Sequence, residues 1–236
     1  LATTTNQGTL SGAGSGGLSI QGTVDNKAGT IAASNGGVVT LGDKADVTGG
    51  TLSTPGGADT ARILTAGLAA IHGTIKQNAF IQVGAGATLQ VTGEIDQARY
   101  VTPTANSARL SAGGGTLQFI TAQVYDGYIT GPGVTVTGST GWTGSVAQTG
   151  TSGPGLLSDA TVAVASTGVL AFSGVTANRG VVTAQGIVAV SGTFDNTGGT
   201  LAATGTGHVS LAAATVIGGT LSGTTAAVGN VVVDGR

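Results

Sequence analysis

Apolar residues alternate with polar or small ones in short runs along most of this chain. Examples are Leu18-Ser-Ile20, Val38-Val-Thr-Leu41, Ile81-Gln-Val83, Leu89-Gln-Val91, Val134-Thr-Val136, Val162-Ala-Val164, Val188-Ala-Val190 and Val209-Ser-Leu211. A period of two over so few residues predicts short strands that bury one face. Gly stands at nearly every boundary and supplies the positive φ of tight corners. Helical periodicity is nearly missing. Its best candidate is Asp59 to Ala70, a run with Arg62, Leu64 and Leu68 that Gly67 interrupts.

The strands belong to a repeat. Gly22 to Leu41 aligns without a gap on Gly192 to Leu211, both reading Gly-Thr-apolar-Asp-Asn-x-x-Gly-Thr-apolar-Ala-Ala. The copies end alike, in Gly49-Gly-Thr-Leu52 and Gly218-Gly-Thr-Leu221. The apolar residue after Gly-Thr recurs at Leu10, Ile31 and Leu52 with equal spacing, and again at Leu201 and Leu221 with nearly the same step. Short strands, Gly corners and a step of roughly 20 residues predict an all-β parallel solenoid, in which each strand pairs with its equivalent one coil on, about 4.8 Å away. At roughly 21 residues per coil the chain would form on the order of 11 coils.

The expected organisation is a single elongated solenoid over 1–236. Residues 1–53 and 159–236 form regular coils, and 54–158 form irregular coils with projecting loops. All four prolines (Pro55, Pro103, Pro132, Pro154) fall in that middle, as do six of the eight aromatics, from Phe80 to Trp142. The stretch Arg99 to Arg109 reads as a loop bulging from the coils. Asn26, Asn178 and Asn196 occupy related corners, where Asn tolerates a left-handed turn or stacks in a ladder.

Composition narrows function more than it defines it. Charged residues are 8% and aromatics 3%, so the interior is expected to be narrow and filled by small aliphatic side chains. The net charge of −2 is scattered, with no basic patch for nucleic acid. No apolar run reaches the length of a membrane span. Cys is absent, which removes disulfides, thiolate metal sites and thiol catalysis and suits an exported protein. The first residue is Leu and Met is absent, so the chain reads as a processed or excised piece of something longer.

No catalytic motif, cofactor fingerprint or metal site is legible. His72 and His208 stand isolated in the sequence. The nearest thing to a catalytic cluster is Glu94, Asp96, Arg99 and Tyr100, with Asp126 between Tyr125 and Tyr128 a coil or two away. Solvated outer-face residues are the preferred explanation. Tyr125, Tyr128 and Trp142 are the residues expected to contact a partner, a glycan stacked on a ring face being one form; their other use is to fill an irregular coil.

The runs Asp25-Asn-Lys-Ala-Gly-Thr-Ile and Asp195-Asn-Thr-Gly-Gly-Thr-Leu, each followed by Ala-Ala and an apolar-x-Leu strand, resemble the hemagglutinin repeats of filamentous-hemagglutinin-like bacterial adhesins. Gly-Gly-Thr-Leu-Ser at 49–53 and 218–222 resembles passenger repeats of autotransporters. The resemblance covers 1–53 and 168–223. It implies a right-handed parallel β-helix, extracellular or on the bacterial cell surface, acting as stalk or adhesin. The partner would be a glycan or protein of a host or neighbouring cell. Apart from the resemblance, strand-forming Val231-Val-Val233 and the few charges near it lead to the expectation of end-to-end association into a filament. A polysaccharide lyase or hydrolase on the same fold is the alternative. An ice-binding Thr array is a distant third, since Thr-x-Thr recurs too rarely for a continuous ladder.

Overall fold

A computed structural model describes residues 3–55, 60–97, 109–125, 127–144, 157–158, 160–223 and 230–234. Those residues are strands, turns and connecting segments, with no helix. Parallel strands stack as a β-solenoid of about nine turns, roughly 21 residues apart. The count falls below the expected one because some coils carry long insertions. Ile81 faces Leu110 and Trp142 faces Phe172, in each case well beyond one regular coil along the sequence. The chain divides into two compact units, 1–117 and 118–236.

In the first unit columns of inward side chains fill the interior, three of which show the pattern. Ile31 lies between Leu10 and Leu52; Val39, Ile63, Ile81 and Leu110 succeed one another; and Val24, Val47, Ile71 and Val91 make the third column. Most are wholly buried. Each inner member is covered by its equivalents in the coils on either side, so small aliphatic side chains suffice to close the interior. Burying each is worth about 1.5–3 kcal/mol. The helix expected at Asp59 to Ala70 does not form: Arg62–Thr65 and Leu68–Asn78 are strands, and Asp59 lies outside the described residues. Ile63 and Ala69 point inward onto existing columns while Gly67, at φ 89°, turns the corner between them. Strand pairing on both sides overrides the weak helical pattern.

The second unit repeats the arrangement with Val162, Val182 and Leu201 in one column and Leu170, Val188 and Val209 in another. Its interior departs from the small-aliphatic expectation. Phe119, Trp142, Phe172 and Phe194 are all buried and succeed one another, with ring centroids 5.5, 5.4 and 4.9 Å apart. The first two contacts are edge-to-face, the favoured geometry for aromatic pairs.

The Asn corners form ladders, not left-handed turns. Asn6, Asn26, Asn178 and Asn196 are buried, and none has positive φ; among non-glycine described residues only Asn35, Lys44 and Ala213 do. Asn6 Nδ2 donates to Asn26 Oδ1 at 2.6 Å and to the Thr30 carbonyl at 3.1 Å. Asn178 Nδ2 donates likewise to Asn196 Oδ1 at 2.8 Å and to the Thr200 carbonyl at 3.2 Å. Asn26 and Asn196 then reach the next coil, to the carbonyls of Gly49 and Thr220, both at 3.1 Å. That coil carries Gly-Gly where the amide would be. A Cβ at Gly50 or Gly219 would sit 1.9 Å from the carbonyl oxygen of Asn26 or Asn196. The two sequence copies are thus one three-coil module built twice: Asn, Asn, then Gly-Gly.

Candidate functional site

Trp142 does not reach the surface, and so is withdrawn as a partner-contacting residue. It is fully buried, packed between Phe119 and Phe172, and fills the interior of the irregular coil. Tyr125 ends the strand Thr116–Tyr125, half-buried, and Tyr128 opens Tyr128–Thr130. Glu94 and Asp96 share the outer face of Thr88–Asp96, flanking buried Ile95, and lie opposite Thr74 and Lys76. Arg99, Tyr100 and Asp126 lie outside the described residues. His72 is not isolated: its Nε2 pairs with the Asp46 carboxylate of the adjacent coil. No group of three or more His, Asp or Glu side chains among the described residues is placed to hold a metal ion.

An open depression of about 510 Å³ lies over the Gly-Gly corner of the first unit. Lys27, Thr30, Thr51, Thr74 and Lys76 line it around Gly49 and Gly50. Its charges are offset, since Lys27 Nζ is 3.8 Å from Asp25 and Lys76 lies opposite Asp96 in the next coil.

A second feature occupies one flat face of the same unit. Arg62–Thr65, Phe80–Val83 and Arg109–Ser111 are parallel neighbours, with Ile63, Ile81 and Leu110 pointing inward in register. The outward positions therefore hold Arg62 and Leu64, then Phe80 and Gln82, then Arg109 and Ser111. Phe80 faces Arg109, whose guanidinium carbon lies 3.9 Å from the ring centroid. Arg62 precedes Ile63 and so takes the position on the other side of Phe80. Sequence inspection does not find this column, because a long insertion separates Phe80 from Arg109 and nothing local marks them as neighbours. The available signal is an Arg or aromatic immediately before each apolar-x strand of that face.

In the second unit Arg179 Nη2 meets Asp195 Oδ2 at 2.6 Å, both side chains mostly buried. Burial pushes the Asp195 carboxyl upward. The hydrogen bonds from Arg179 and Thr197 outweigh it and hold the group below its ordinary 3.8. This pair clasps adjacent coils beside the amide ladder.

The fold defines a structural repeat protein, a parallel β-solenoid whose coils are set by buried ladders. No protein-family model, curated protein or solved structure matches the chain.

Proposed function

We propose that the chain is a structural and adhesive segment of a secreted bacterial surface protein, working extracellularly without catalysis. The observation that carries this reading is the duplicated Asn, Asn, Gly-Gly module. It repeats a coil-locking device and leaves the outer faces free to vary, which suits a stalk presenting contact surfaces. The resemblance of the same residues to hemagglutinin repeats supports it. The outer faces would meet glycans or proteins of a neighbouring cell. Self-association of the coils end to end belongs to the same reading. Fluorescent beads coated with the protein provide the test. Saturable adherence to mammalian or bacterial cells, competed by soluble protein, is expected; adherence no greater than that of albumin-coated beads overturns the reading.

A further inference from the structure

We propose that the face carrying Arg62, Phe80 and Arg109 binds a linear polysaccharide bearing carboxylates along its length. The proposal rests on the adhesive reading and names the class of ligand for one surface. The two arginines belong to coils separated by one intervening strand, hence about 10 Å apart across two steps of about 4.8 Å. Neither has an ion-pair partner among the described residues. The guanidinium of Arg109 is held against Phe80, which fixes its plane and lowers the entropy lost when it engages a ligand. A planar guanidinium fork matches a carboxylate bidentately.

Across the strands, Leu64 beside Arg62 offers apolar ground, while Gln82 and Ser111 offer an amide and a hydroxyl at equivalent outward positions. No Asp or Glu occurs in these three strands. Two cations in line along the stacking direction, one of them held against Phe80, favour a polymer with recurring charge over a single small anion. Nucleic acid is disfavoured, because its closely spaced phosphates call for an extended positive field and these strands offer two arginines about 10 Å apart.

The test uses the full chain immobilised on a biosensor, with hyaluronan as the probe, since it carries one carboxylate on every second sugar and no sulfate. Saturable binding is expected, with loss of about tenfold or more for Arg62→Gln or Arg109→Gln, the scale of one charge-assisted hydrogen-bonded contact. Arg109→Lys should also weaken binding, because it keeps the charge and loses the fork. Lys27→Gln, on the corner depression, should bind as the parent does. Circular dichroism melting of each variant separates lost binding from lost folding, and only variants melting like the parent count. Any of the following overturns the proposal: no binding of hyaluronan by the parent, equal binding of carboxyl-esterified hyaluronan, undiminished binding by a folded Arg62→Gln/Arg109→Gln double variant, or tighter binding of single-stranded DNA. Tighter binding of dextran sulfate that is equally sensitive to both arginines reassigns the anion from carboxylate to sulfate and likewise overturns it. Bead adherence that survives in the double variant would leave the adhesive reading standing while this one falls.

Discussion

Replacing Asn196 by Val tests whether side-chain amides lock the coils. Asn196 is fully buried, accepts a 2.8 Å hydrogen bond from Asn178 Nδ2 and donates a 3.1 Å bond to the Thr220 carbonyl. Valine keeps the approximate volume and removes both bonds. Each is worth about 1 kcal/mol net. Asn178 keeps its bond to the Thr200 carbonyl, and Thr220 is exposed, so its oxygen regains water. The expected loss is therefore about 2 kcal/mol. Urea unfolding followed by circular dichroism measures it, with an unchanged slope showing that the native and denatured states keep their compactness. Asn196→Gly supplies the decisive comparison. If the residue served a left-handed corner, glycine would restore stability; since its φ is not positive, glycine should be nearly as damaging as valine. A loss below about 0.5 kcal/mol in Val, or full rescue by Gly, refutes the ladder argument.

Three other substitutions probe separate parts of the framework. Trp142→Ala should cost about 3–5 kcal/mol in unfolding experiments, because it opens a cavity within the aromatic stack; a loss under about 1 kcal/mol would show that the ring is not packed there. Ala213 is exposed with φ 50°, so Ala213→Gly should stabilise by about 0.5 kcal/mol, the relieved left-handed strain of about 1–2 kcal/mol outweighing glycine's chain entropy. Thermal melting that shows no gain for this variant would contradict the strain. The Asp195 carboxyl is held below 3.8, so its contribution is present above that pH and lost as pH falls through the lower folded value. Arg179→Met should flatten the acid limb of a stability-versus-pH curve in that range, and an unaltered limb would contradict the pairing.

The coil is legible because its signal is local and recurrent: Gly-Thr-apolar at a nearly fixed step places Leu10, Ile31 and Leu52 in one column without any structural knowledge. The module's first rung is legible only in its second copy, where Asn178 reads as a related corner and Asn6 does not. Asn6-Gln-Gly8 and Asn178-Arg-Gly180 share only two residues, yet in both the Asn Oδ1 accepts the amide of the glycine two positions on. Trp142 misleads for a different reason. A lone Trp in an irregular segment looks like a surface feature, and only the register with Phe172, across a long insertion, reveals the stack. The Arg62, Phe80, Arg109 face is illegible on the same ground: solenoid neighbours lie one coil apart in space and a variable distance apart in sequence. Glu94 and Asp96 do share one outer face, a consequence of strand alternation alone.

The most direct test of the account is to incubate the purified protein with a panel of acidic polysaccharides and to measure both retention and polymer length by size-exclusion chromatography with light scattering. A scaffold that binds without catalysis predicts polymer co-eluting with the protein at undiminished chain length over many hours. Progressive shortening that is abolished by Glu94→Gln or Asp96→Asn would contradict it and make the outer face of Thr88–Asp96 an active site.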